Sequence, residues 1–93
     1  MTDLSIPYQC APEVLFQEVN GEIVLLDLQG ETYFGLNETG ARVWQLLQDG
    51  KVGDELLDMM LDEFEVDRPQ LEADVTELIS QLSEAGLIVR KDI

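Results

Sequence analysis

The stretch "ETYFGLNETGARVW", residues 31–44, changes its period at a single residue. Thr32, Tyr33 and Phe34 are strong strand formers. Asn37 is among the best helix N-caps. Val43, Trp44 and Leu47 then recur at helical spacing. A strand therefore runs directly into a helix, and this junction divides the chain into a β half and an α half.

Upstream lie two more short apolar runs, "VLFQEV" at 14–19 and "EIVLLDL" at 22–28. Asn20-Gly21 separates them, and both residue types tolerate the positive φ of a tight hairpin turn. Gln29-Gly30 reads as a second turn, so "ETYFGL" is the third strand of an antiparallel meander. The middle run is apolar on both faces, with Ile23 and Leu25 on one and Val24, Leu26 and Leu28 on the other. That suits the central strand and leaves the first and third strands as edges.

Downstream, helix one ends at Asp49-Gly50. A second helix is expected from about Asp54 to Phe64, with Leu57, Met60, Leu61 and Phe64 on one side. A third starts at Asp67, where Gln70 completes the spacing of a capping box and Pro69 falls in the first turn. Leu71, Val75, Leu78, Ile79 and Leu82 form its apolar stripe, and Gly86 is a natural left-handed stop. The tail "LIVRK" can add a short strand or wing. The fold class is thus α+β: an N-terminal three-stranded antiparallel sheet followed by three helices, the element order of a winged helix-turn-helix. Residues 1–12, broken by Pro7 and Pro12, are expected to be an irregular lead-in with room for flexibility, and 13–93 a single domain.

Composition narrows the function. Twenty acidic residues face five basic ones, and Arg42, Lys51, Arg68, Arg90 and Lys91 are scattered. Nucleic acid and anionic membranes need clustered cations, so neither is an expected partner. No apolar run approaches the ~20 residues of a membrane span, and no basic, apolar targeting segment opens the chain. With Cys10 as the one cysteine, cytoplasmic localisation is expected. The chain has no histidine, so Ser-His triads and histidine metal sites are excluded, and Cys10 has no base to activate it. There is no phosphate-binding glycine loop, and "DEFEVD" lacks the spacing of a calcium loop. Close carboxylate pairs are what so many acids produce by chance on solvated helix faces. No catalytic residue, cofactor or metal is expected.

Binding remains. The third strand is a sheet edge whose free backbone groups can accept an extended peptide as a fourth strand. Thr32, Phe34 and Leu36 share one face, and Glu31, Tyr33 and Gly35 the other. Phe34 and Leu36 are expected toward the helices and Tyr33 near the open surface. Gly35 removes a side chain where another backbone can approach. If helix three lies beside this edge, Leu71, Val75 and Leu78 line a groove, although such a stripe is more commonly plain core. Glu72, Asp74 and Glu77 would rim it and favour Lys or Arg on the ligand.

"YFGLNETGARVWQLLQDG" at 33–50, then an acidic helix ending in "FEVD" and a helix ending in "LSEAGLI", resembles the PqqD-like proteins over about residues 13–90. These are the peptide-recognition elements of pathways that modify ribosomally made peptides. The resemblance implies a three-stranded sheet on a three-helix winged-helix bundle that binds a precursor's leader between the third strand and the third helix. Carried onto this chain, the peptide-binding positions are Glu31, Thr32, Tyr33, Phe34 and Gly35 with Leu71, Asp74, Val75 and Leu78. As a free-standing member of 93 residues with this acidic character, the chain resembles those of lasso-peptide pathways, which implies a separate leader protease and cyclase as partners and a leader carrying a Tyr-x-x-Pro motif. The alternative within the family is presentation of a precursor to a radical enzyme in pyrroloquinoline quinone biosynthesis. A winged-helix transcription regulator is a further alternative, but residues 52–89 hold eleven acids and only Arg68, which DNA would repel.

Overall fold

The structure, a computed structural model, describes residues 4–91. Its elements run β1 (Tyr8–Cys10), β2 (Val14–Val19), β3 (Glu22–Asp27), β4 (Thr32–Leu36), α1 (Glu38–Gln48), α2 (Gly53–Glu63), α3 (Arg68–Glu84) and β5 (Ile88–Arg90). β2, β3 and β4 form the antiparallel meander, in that spatial order. The protein is thus a small α+β fold, a three-stranded antiparallel sheet followed by three helices.

The β2–β3 hairpin turns on Asn20 (φ 55°) and Gly21 (φ 83°), as their side chains predict. The β3–β4 connection departs from the expected two-residue turn. It is a four-residue loop whose left-handed residue is Glu31 (φ 52°), because strand pairing ends at Asp27 opposite Thr32. The Asp27 carboxylate accepts from the Gln29 N–H at 3.1 Å and the Thr32 hydroxyl donates to the Gly30 carbonyl at 3.0 Å, which holds the longer loop.

A second departure is at the N-terminus. Residues 8–10, expected to be irregular, form β1 and pair with β5 in the register Tyr8↔Arg90, Gln9↔Val89, Cys10↔Ile88. Tyr8 and Ala11 join the main core. Residues 1–3 of the expected lead-in and residues 92–93 of the expected domain lie outside the described residues.

The inner face of the meander, led by Ile23 and Leu25, packs on α1, and α1 in turn packs on α2 and α3. Trp44 is fully buried at the centre, with the Phe16 ring edge-on at 5.4 Å. In α2 the buried side is Leu56, Leu57 and Met60, while Leu61 and Phe64 are only partly covered. Arg42 pairs with Glu63 at 2.8 Å and ties α1 to α2. Arg68 reaches Asp58 at 2.7 Å and Asp54 at 2.9 Å, tying the start of α3 to α2. At the other end of α3, Gly86 (φ 75°) lets its N–H and that of Leu87 donate to the carbonyls of Ser83 and Leu82. That closure turns the chain into β5.

Candidate functional site

The junction quoted at the outset builds one wall of a cleft. Asn37 caps α1, its Oδ1 accepting from the Gly40 N–H at 2.9 Å. No loop intervenes, so β4 and the first turn of α1 are held as one corner. Gly40 sits against that corner, where a Cβ would make ordinary contact with the Leu36 side chain at 3.5 Å. α1 also packs against α3, and the space left between β4 and α3 is a cleft of about 460 Å³.

Its strand side is Phe34, Gly35 and Leu36. Asn37, Thr39, Gly40 and Val43 of α1 close the back. Leu71, Asp74, Val75, Leu78 and Gln81 of α3, with Val66 before it, form the opposite wall. Leu71 and Val75 are buried core residues that also reach the cleft, whereas Leu78 is only half-buried. The lining is therefore apolar in its middle, with Asp74 and Gln81 as polar points along α3. Gln70 donates to Asp74 at 2.9 Å and so fixes where that carboxylate lies.

Of the nine positions singled out in the sequence, the structure gathers Phe34, Gly35, Leu71, Asp74, Val75 and Leu78 around the cleft. Glu31 is not on the strand at all but in the loop, held there by its left-handed backbone. Thr32 is the first, exposed residue of β4 and lies outside the cleft. Tyr33 points to the opposite face of the sheet and is 73% exposed. The expected acidic rim reduces to Asp74. Glu72 and Glu77 lie instead on another face of α3, around a shallow depression with Pro69, Ala73 and Ser80.

The sequence reading missed the α1 contribution and the polar point at Gln81. Asn37 reads from the sequence only as a helix cap, and the capped first turn also faces the cleft. Gln81 follows Leu78 by three residues, the helical spacing that would have placed it on the same wall.

Nothing in the cleft suits nucleophilic chemistry. Cys10 lies on the separate β1–β5 ladder; burial pushes its thiol up, and its Sγ donates to the Val14 carbonyl at 3.4 Å. Among the described residues no group of His, Cys, Asp and Glu could hold a metal ion, and no helix is long and apolar enough to cross a membrane.

A family model described as coenzyme PQQ synthesis protein D (PqqD) matches residues 22–88. Two solved structures are similar throughout. TbiB1 in complex with the TbiA(beta) leader peptide has a TM-score of 0.82 and 35% identity, covering 91% of this chain and 99% of that one. Lasso peptide synthetase B1 complexed with the leader peptide has a TM-score of 0.82 and 30% identity, covering 89% of this chain and 98% of that one. No curated protein sequence gives a significant match.

Proposed function

Since this chain belongs to the PqqD family, we propose that it is a leader-peptide-binding protein, a recognition element for a ribosomally made precursor, that works without catalysing a step. The observation that carries this is the cleft: an unpaired strand edge, β4, beside an apolar helix wall. An extended peptide adds to β4 as a fourth strand. Its backbone satisfies the N–H and C=O groups of the edge, and alternate side chains enter the cleft against Leu71, Val75 and Leu78. Phe34, Gly35 and Asp74 complete the contact. Thr32 contributes backbone rather than cleft lining, Tyr33 is available to outward side chains, and Glu31 lies in the loop that precedes the strand.

Both similar solved proteins are bound to leader peptides, and one of them is a lasso peptide synthetase B1, which favours a lasso pathway over presentation to a radical enzyme of pyrroloquinoline quinone biosynthesis. On this reading the partners are the leader, carrying a Tyr-x-x-Pro motif, and then a separate leader protease and cyclase. We place this action in the cytoplasm, where the precursor is made. We also take residues 13–93 as the peptide-binding domain, with α1–α3 and β5 as a winged helix-turn-helix put to peptide rather than DNA binding.

The test is a titration of isotope-labelled protein with the synthetic leader of the precursor encoded beside it. Amide shifts concentrated at 32–36 and along the cleft side of α3 are expected. Shifts confined to other elements, at saturating leader, would overturn the proposal.

A further inference from the structure

Gly35 lies inside β4, yet the fold has no use for a glycine there. Its φ is not positive, unlike those of Gly21, Gly50, Gly53 and Gly86. A Cβ built on it meets nothing within 4 Å, whereas one on Gly30 would press on the Asp27 and Thr32 side chains at 3.0 and 3.2 Å. Glycine inside a strand costs stability through lost backbone freedom and absent packing. The free protein therefore bears a cost at this position with no local return.

The return lies on the outer face of the sheet, away from the cleft. Val24 is directly opposite Gly35, and Leu26 is directly opposite Tyr33. With no side chain on Gly35, Val24 stays 40% exposed. Tyr33, on the same face of β4, is 73% exposed and stands beside the gap. The outcome is a bare apolar notch that opens toward the unpaired edge of β4.

We propose that this notch is a second specificity subsite for the bound peptide, taking a bulky aliphatic or aromatic side chain that lies across Gly35 onto Val24 and against Tyr33. This rests on the strand-addition reading, because only a strand paired with β4 places a side chain there. A large side chain covering a cross-strand glycine is a known stabilising pair in sheets. The notch selects apolar over acidic groups, since the nearest outward charge on β3 is the carboxylate of Glu22. The peptide would thus be read on both faces, by the cleft through one set of alternate side chains and by the notch through the other.

The test uses the full chain, Gly35→Val and Val24→Ser, each titrated with the synthetic leader and with leaders changed to Ala at each position in turn. Wild-type protein should show one outward-facing position where loss of a bulky side chain weakens binding about tenfold, the value for half-burying a leucine. Gly35→Val should fill the notch and reverse that preference, binding the Ala leader more tightly than the parent. Val24→Ser should flatten the preference. Thermal melting should show Gly35→Val at least as stable as wild type, because valine suits a strand. Parent-leader affinity unchanged by Gly35→Val, or size preference unchanged in Val24→Ser, would overturn the subsite even if the amides of β4 still shift on binding. Absence of those β4 shifts would instead remove the strand-addition reading itself.

Discussion

Truncation of Leu78 probes the apolar wall of the cleft with less damage to the core than truncation of Leu71 or Val75. Leu71 and Val75 each keep only 2% of their surface exposed, so altering them damages the core and blurs the result. Leu78 is half-buried, packed on the core from one side and open to the cleft on the other. Leu78→Ala removes side-chain carbons worth about 0.8 kcal/mol each when fully buried. Most of that burial exists already in the free protein, where less than about a third of the Leu78 surface is exposed, and a docked peptide would supply the rest. The loss on binding is then at most about 0.8 kcal/mol, a rise in Kd of up to roughly fourfold. The loss in the free protein is larger, about 1.6 kcal/mol, a fall in melting temperature of about 6–13 °C for a domain this small. Fluorescence anisotropy of a labelled leader, read well below the melting temperature, measures the first, and calorimetry the second. Glu72→Gln, on another face of α3, is the control and should change neither. A Leu78→Ala affinity equal to that of wild type would refute the placement of the peptide against α3.

Three further outcomes are expected. Asn37→Ala removes the acceptor for the Gly40 N–H, costs about 1 kcal/mol and lowers the melting temperature by roughly 4–8 °C; an unchanged melt would show that the corner of β4 and α1 is held by packing alone. Asp74→Asn should weaken a leader carrying Lys or Arg by at most about 1 kcal/mol, in low salt only, so equal losses in low salt and in ~1 M salt would deny an electrostatic role. Burial raises the Cys10 thiol above its ordinary value of 9.0, so the fold favours the neutral thiol. Its stabilising contribution is complete below the unfolded value and is lost as pH rises through the folded one. Iodoacetamide should accordingly modify native protein more slowly than urea-unfolded protein near pH 9, and equal rates would contradict the burial of the thiol.

Where the sequence spoke through local chemistry, it was legible. Asn20-Gly21 demanded a hairpin, Asn37 a helix start and Gly86 a helix stop, because each solves a backbone problem within a few residues. Legibility failed where the decisive partner was distant or where one polar group had two choices. β1 carries no period of its own between Pro7 and Pro12; it is a strand because β5 arrives beside it from the far end of the chain. Asp67 takes the N-cap position of α3, but its side chain makes no capping bond, and Gln70 turns to Asp74 instead of closing a capping box. In the loop after β3, the Asp27 and Thr32 side chains hold a longer turn than Gln29-Gly30 suggested. That shift removed Glu31 from the strand. The cleft itself was half legible: the α3 wall followed from helical spacing, but spacing alone could not separate Asp74, which faces the cleft, from Glu72 and Glu77, which do not.

The charge distribution explains why one helix can serve a peptide and not a duplex. In a DNA-reading winged helix, the exposed face of the third helix must carry cations to meet phosphates. Here that helix begins with Arg68, already engaged by Asp54 and Asp58, and its solvent side carries Glu72 and Glu77. Phosphate would be repelled along its length. Its flank toward β4, by contrast, carries Leu71, Val75 and Leu78 along the cleft with Asp74 as its one charge, and the strand across the cleft is a sheet edge. A peptide backbone is neutral and supplies both donors and acceptors, so it can complete the sheet without meeting the repulsion that excludes a polyanion. The surrounding negative charge would then favour leaders with basic residues over acidic chains. Affinity comes from the strand edge and the apolar wall, and the choice among peptides from the side chains that the cleft, and the notch at Gly35, admit.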